Sequence, residues 1–187
     1  MNSVTKKVIN FVMFQVGWFL CVIMQDQYFL AGIYTVVAIV IHHLFIVDNF
    51  REWLGVAVVV AVGVLMDSLF NFWGILGFSD LHLFSFVSLN ISVIPFWLAC
   101  IWMLFAMTLC HGLSWLNSKL LLAALFSAVA GPLSYIAGAR LSGGFVSLGY
   151  PLWLSIVVLS LFWSVMVPCG FVVMRKLNIF KPLKVLL

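Results

Sequence analysis

The sequence has very little charge. Of its 187 residues, nine are lysine or arginine and five are aspartate or glutamate, which together make 7% of the chain, whereas 66% are hydrophobic. The surface of a soluble domain needs about a quarter of its residues charged, so a soluble protein is excluded. We expect a polytopic integral membrane protein. Because no polar stretch is long enough for a second domain, residues 1–187 are predicted to form a single membrane domain.

The sequence signatures of catalysis are also missing. The chain contains no GxSxG motif, no phosphate-binding loop and no GxGxxG motif, and its carboxylates are not paired as general acid–base chemistry requires. The four cysteines lie in apolar runs without paired spacing, so we interpret them as small buried hydrophobic residues. The sequence therefore gives no argument for an enzyme, for a cofactor or for nucleic-acid binding.

What the sequence does contain is long apolar runs. A helix needs about 20 residues to cross the hydrocarbon layer, and six runs qualify, at about residues 8–24, 28–47, 53–78, 91–111, 119–139 and 151–174. The predicted fold class is therefore all-α with six transmembrane helices. Residues 79–90 form the least regular connection. Their apolar part, residues 81–89, is too short to span, and could lie at the interface or re-enter the membrane.

Lysine and arginine are distributed unevenly over the predicted connections. With six spans, one side of the membrane holds eight of these residues and the other side holds only Arg140. Positive residues concentrate on the cytoplasmic side, so both termini are predicted to be cytoplasmic. The eight residues are Lys6, Lys7, Arg51, Lys119, Arg175, Lys176, Lys181 and Lys184.

One acidic residue, Asp67, lies well inside the third apolar run. A charge at membrane depth costs about 2.5–3.5 kcal/mol on insertion scales, so it faces a partner or a wet cavity. We predict an ion pair between Asp67 and Arg140, which either ties the third and fifth spans together or belongs to a polar outer-leaflet pocket closed by the glycine-rich loop at 142–144. The other predicted ligand-binding residues of that pocket are Asn71, Ser134 and Tyr135.

Small residues recur along the fifth span at helical spacing. They include Ser127, Gly131 and Gly138, and Pro132 lies among them. Small residues let helices approach closely, so this face is either a packing seam, the wall of a pocket or a surface that docks a partner.

Three histidines, His42, His43 and His111, are the candidate metal ligands, because imidazole suits several transition metals. His42 and His43 are adjacent and point about 100° apart on a helix, so they do not easily share a site. No carboxylate follows either of them at helical spacing except Asp48, beyond the end of the run. We therefore predict no metal and no haem. The alternatives are ordinary hydrogen bonding and proton relay.

Three segments carry a family resemblance: Phe14-Gln-Val-Gly-Trp18, the helix in which Gly63 precedes Asp67 by four residues, and the segment from Gly131 to Gly138. They resemble a family of bacterial inner-membrane proteins, domain of unknown function 2878. The resemblance implies a location in the bacterial inner membrane and no activity. The predicted arrangement of six spans also resembles, in overall shape, the substrate-binding subunits of energy-coupling-factor transporters and the rod-shape-determining membrane protein D family.

Two classes of function follow. The first is a binding or transport-type subunit, with a polar outer-leaflet pocket for a small or lipid-like ligand. The second is a structural protein that docks a membrane-protein partner through its small-residue helix faces. A membrane lipid-modifying enzyme that uses the histidines ranks third. Membrane lipids are expected partners in every case.

Overall fold

The part of the chain that the structure describes contains six α-helices, together with short turns and small strands. The computed structural model describes residues 1–79, 85–86 and 91–180. The helices are α1 (Ser3–Ile23), α2 (Tyr28–Ile41), α3 (Glu52–Phe72), α4 (Phe96–Ala106), α5 (Leu120–Leu141) and α6 (Leu152–Lys176). A 3-10 turn (Gln25–Gln27) precedes α2, a π-helical turn (His42–Ile46) continues it, and another 3-10 turn (Ser114–Leu116) precedes α5.

Five of these helices, all except α4, are long and apolar enough to cross a membrane. Many large apolar side chains on their outer faces are exposed, such as Phe29 on α2 and Leu121 on α5. Without lipid around them, these side chains would form far larger apolar patches than a soluble monomer carries. The fold is therefore that of a multi-pass membrane protein.

The fourth predicted span, at residues 91–111, contains a helix much shorter than its apolar run. Helix α4 has 11 residues, which at about 1.5 Å per residue is roughly 17 Å, against about 30 Å of hydrocarbon. Before α4, residues 91–92 form a strand and Pro95 caps the helix. After it, the Thr108 hydroxyl donates to the Phe105 carbonyl at 2.6 Å and the chain turns. The apolar run covers residues 91–111, but only the middle part of this run is helical.

The four short strands were not predicted from the sequence. Strand β1 (Leu76–Phe78) pairs antiparallel with β4 (Val146–Leu148), and β2 (Ser85–Phe86) pairs with β3 (Ile91–Ser92). The β1–β4 pair joins the connection after α3 to the connection after α5 and so fixes the ends of these two helices together. The predicted interfacial or re-entrant segment at 81–89 falls largely outside the described residues.

The core lies where α3, α4, α5 and α6 meet. The indole rings of Trp102 on α4 and Trp163 on α6 stack at 5.3 Å between centroids, with an interplanar angle of 8°. Two glycines make room for this stack, because a methyl group at Gly63 would overlap Trp102 and a methyl group at Gly131 would overlap Trp163. Gly63 on α3 and Gly131 on α5 therefore serve close packing within the chain.

Candidate functional site

Asp67 is held by two hydrogen-bond donors from neighbouring helices. Its side chain is completely buried. The Trp102 indole N–H donates to Oδ2 at 2.7 Å, and the Tyr135 hydroxyl lies 2.7 Å from Oδ1 and 2.8 Å from Oδ2. The carboxyl group thus joins α3, α4 and α5 through groups that the membrane interior does not supply.

The position of these donors follows from the helical repeat. Asp67 lies four residues after Gly63 on α3, and Tyr135 lies four residues after Gly131 on α5. Residues four apart share a helix face, so each helix presents a glycine to the tryptophan stack and then a polar side chain one turn further along. The stack brings the Trp102 N–H to the carboxyl group.

The predicted ion pair of Asp67 with Arg140 is wrong. Arg140 is exposed near the end of α5, and the partners of Asp67 within the described residues are the neutral donors Trp102 and Tyr135. The physical reason is distance along the helix: Tyr135, five residues earlier, already lies at the depth of the carboxyl group. Of the predicted set, the structure brings Asp67 and Tyr135 into contact.

The remaining two predicted site residues, Ser134 and Asn71, form hydrogen bonds elsewhere. Ser134 is half-buried and donates to the Gly131 carbonyl at 2.6 Å. Asn71 is half-buried one turn after Asp67, and its backbone carbonyl accepts from the Gly74 N–H at 3.1 Å. Ser134 lies next to Tyr135 along a cavity wall, whereas Asn71 is absent from the described lining of that cavity.

A half-open cavity of about 500 Å³ lies between the helices. It is lined mainly by apolar and aromatic side chains of α1, α4, α5 and α6, with Gln15, Ser127, Ser134 and Tyr135 as the polar side chains of the wall. Asp67 and Arg140 do not line it. The polar pocket predicted around those two residues is therefore replaced by an apolar cavity, and Asp67 stands behind its wall, holding Trp102 and Tyr135 in place.

A second polar cluster lies at the other end of α3. Glu52 in the first helical turn is 1% exposed, and His42 is fully buried. His42 Nε2 lies 2.9 Å from Glu52 Oε1, and His111 Nε2 lies 3.0 Å from Oε1 and 3.1 Å from Oε2. One carboxylate therefore bridges two imidazoles, and one ligand atom of each residue lies within 4.8 Å of the other two.

Sequence reasoning missed Glu52. His42 and His111 lie near the ends of the predicted spans at 28–47 and 91–111, but Glu52 falls just before the start of the predicted span at 53–78. One signal could have found it. An acid at the start of one apolar run lies at the same membrane depth as histidines at the ends of two other apolar runs. His43, the third candidate, is exposed and accepts from the Trp53 indole at 3.2 Å, so the expected divergence of His42 and His43 is confirmed.

Asn10 on α1 fixes the orientation of His42. Its amide nitrogen lies 3.3 Å from His42 Nδ1 and donates to the Met107 carbonyl at 3.2 Å, while its oxygen accepts from the Gly112 N–H at 3.0 Å. Two backbone groups thereby set which end of the amide faces the imidazole, and the cluster is tied to α1 as well as to α2 and α3.

A polar cleft of about 480 Å³ borders this cluster. Glu52 and His111 line it, together with Lys6, Lys7 and Cys110. Lys6 forms an ion pair with Asp48 and donates to the Ile46 carbonyl at 3.0 Å. Burial raises the pKa of the Cys110 thiol, and the charge of Glu52 raises it further. This thiol is therefore neutral at neutral pH.

The fold and its two buried polar clusters define a helical multi-pass membrane protein with an internal apolar cavity. A family model described as "Protein of unknown function (DUF2878)" matches residues 7–169. The chain belongs to this family, as the three sequence segments indicated. Neither a curated protein nor a solved structure matches the chain, and the two shape resemblances remain predictions.

Proposed function

We propose that this protein is a binding or transport-type membrane subunit that holds an apolar or amphiphilic, lipid-like molecule in its central cavity. The observation that carries the proposal is the cavity itself. Its volume of about 500 Å³ falls within the range of about 300–1,000 Å³ typical of small-molecule sites. Its mainly apolar wall favours a hydrocarbon part of the ligand.

The shape of the cavity suits a chain-like ligand. Its wall includes α1 side chains from Phe11 to Val22, a stretch that rises about 16 Å at 1.5 Å per residue. Gln15 on α1 and Ser134 with Tyr135 on α5 are among the hydrogen-bonding groups of the wall. A polar head or a hydroxyl group of the ligand would be oriented by them.

The cavity wall also assigns a role to Asp67. Its hydrogen bonds fix Trp102 and Tyr135, which both line the cavity. Asp67 therefore acts as a positioning residue behind the wall and is not a ligand contact.

For topology we keep six crossings, with α4 as a short crossing and both termini in the cytoplasm of a bacterium, in the inner membrane. The lysine and arginine distribution supports this arrangement. Its consequence is that the cleft beside Lys6 and Lys7 opens to the cytoplasm.

The alternative function, docking of a partner through small-residue faces, has lost its main support. Ser127 on the small face of α5 donates to the Trp163 carbonyl at 2.7 Å, and Gly131 packs on the Trp163 ring. This part of the face is a packing seam between α5 and α6. Gly138, further along, lines the cavity.

Gly138 offers a direct test of the ligand proposal. It is buried, lines the cavity and has no atom within 4 Å of a side-chain carbon built on it. A Gly138→Leu variant should fold, since leucine favours a helix over glycine by roughly 0.8 kcal/mol, while its side chain fills the cavity. Val129→Leu on the exposed side of the same helix is the control.

The measurement is mass spectrometry of lipids and small molecules that remain bound to purified protein. Wild type and Val129→Leu should retain the same species at the same stoichiometry, and Gly138→Leu should lose them at unchanged melting temperature. Equal retention by Gly138→Leu, or no retained species in wild type, would contradict the proposal.

A further inference from the structure

We propose that His42, Glu52 and His111 form a binding site for a divalent transition-metal ion. This site is separate from the lipid-like ligand site proposed above. Two imidazoles and one carboxylate are the donor set of several mononuclear zinc sites, and they also suit iron, copper and nickel. The three side chains come from the π-helical turn after α2, from α3 and from the turn after α4.

Two of the three distances between ligand atoms are close to those around a small metal ion, and the third lies within 4.8 Å. With metal–ligand bonds of about 2.0–2.1 Å, ligand atoms of a tetrahedral zinc site lie about 3.3 Å apart. The two imidazole nitrogens lie 2.9 and 3.0 Å from the shared carboxylate oxygen Oε1. A widening of a few tenths of an ångström converts these hydrogen bonds into the edges of a coordination polyhedron.

Charge balance favours a bound cation. Glu52 is almost completely buried, and a buried carboxylate is costly unless it is paired or coordinates a metal ion. Lys6, one of the two lysines that line the cleft, is already held by Asp48 and the Ile46 carbonyl. A divalent ion bound by the three side chains would supply the compensating charge.

The site is accessible from one side. Glu52 and His111 line the polar cleft, whereas His42 is fully buried behind them. Water or a ligand oxygen from the cleft can therefore complete the coordination, which leaves three protein ligands and one open position, as in zinc sites that bind substrates.

Asn10 controls how readily His42 binds the ion. The Asn10 amide nitrogen faces His42 Nδ1, and this contact favours the tautomer with its proton on Nε2, directed at Glu52. A metal on Nε2 requires the proton on Nδ1, which then needs an acceptor in place of the Asn10 donor. An aspartate at position 10 provides that acceptor, so Asn10→Asp should strengthen metal binding.

The experiment uses the full chain in detergent, purified through a tag without histidines and stripped with a chelator. Zinc is titrated against a chromophoric chelator, and the bound metal is counted by elemental analysis. Cobalt is added to wild type in parallel, because its visible spectrum reports coordination by nitrogen and oxygen without any variant. The variants are Glu52→Gln, His111→Gln and Asn10→Asp, and the matched control is His43→Gln, whose imidazole lies outside the cluster.

We expect one zinc ion per chain, weakened at least about tenfold by Glu52→Gln and by His111→Gln, and strengthened about 10–100-fold by Asn10→Asp, the size of effect known for residues that orient metal-binding histidines. His43→Gln should match wild type, and size-exclusion profiles should show each variant folded. Substoichiometric zinc with no cobalt spectrum in wild type would overturn the proposal. Zinc affinity that falls with His43→Gln but not with Glu52→Gln would also overturn it.

Discussion

The hydrogen bonds of Asp67 allow a quantitative test of the core. Asp67→Ala removes the acceptor for two buried donors, the Trp102 N–H and the Tyr135 O–H. Each unsatisfied buried donor costs about 1–3 kcal/mol, so the variant should lose roughly 2–6 kcal/mol in its free energy of unfolding. Tyr135→Phe alone leaves the carboxyl group with the Trp102 donor, and should cost about 1–3 kcal/mol.

The double variant separates the Asp67–Tyr135 contact from the rest. In the Asp67→Ala background the Tyr135 hydroxyl has no acceptor, so its removal should cost nothing or restore stability. In double-mutant cycles, the two partners of a hydrogen bond between membrane helices show a coupling energy of about 0.6 kcal/mol on average and about 1.7 kcal/mol at most. Because Asp67 is completely buried and the hydroxyl contacts both carboxyl oxygens, we expect a coupling energy near the upper value.

The assay is reversible unfolding in mixed micelles, followed by tryptophan fluorescence for the four members of the cycle. Arg140→Gln is the control, because Arg140 is exposed and forms no ion pair with Asp67. It should change stability by less than about 0.5 kcal/mol. A coupling energy near zero, or a loss with Arg140→Gln as large as that with Tyr135→Phe, would refute the assignment of Tyr135 as the partner of Asp67.

Two further predictions concern packing and topology. Gly63→Ala should destabilise the protein by about 1–3 kcal/mol, since its methyl group meets the Trp102 ring. Gly138→Ala, with open space around it, should stabilise the protein by about 0.5–1 kcal/mol. Equal melting temperatures of the two variants would contradict this packing. Fusions of a sidedness reporter test the six-crossing topology, and a periplasmic C-terminus would refute it. Periplasmic signals are expected after Gln27, Ser79 and Gly144, and cytoplasmic signals after Asn49, Asn117 and Lys184.

The sequence predicts helices well where an apolar run is also uninterrupted helix. The runs that became α1, α2, α5 and α6 are helical over most of their length, whereas the third run, predicted at residues 53–78, ends as helix at Phe72 and continues into β1. Predicted and observed helix ends differ by up to six residues. The sequence predicts α4 poorly, because hydropathy measures burial and lipid contact and does not distinguish a helix from apolar strands and turns. Strands β1 and β4 are three residues long and pair across about 70 positions, a contact that local pattern cannot reveal.

The candidate site residues were also predicted only in part from the sequence. Asp67 was recognised because a carboxylate at membrane depth needs a partner, and Tyr135 was placed near it because both lie in the outer half of their predicted spans. The partner itself was misassigned, because charge complementarity favoured Arg140 whereas depth along α5 favoured Tyr135. Trp102 was missed, since a tryptophan in an apolar run gives no sign that its N–H is directed at an acid.

Helix α3 connects the two sites that the structure defines. It carries Glu52 in its first turn and Asp67 fifteen residues later, which is about 22 Å along the axis. At one end its carboxylate bridges two histidines beside a polar cleft, and at the other its carboxyl group braces the wall of an apolar cavity. Each acid contacts side chains of other helices, so we expect a shift of α3 at Glu52 to change the position of the cavity wall as well. If both proposals hold, zinc should alter ligand retention in wild type, and Glu52→Gln should abolish that effect while leaving retention without metal unchanged.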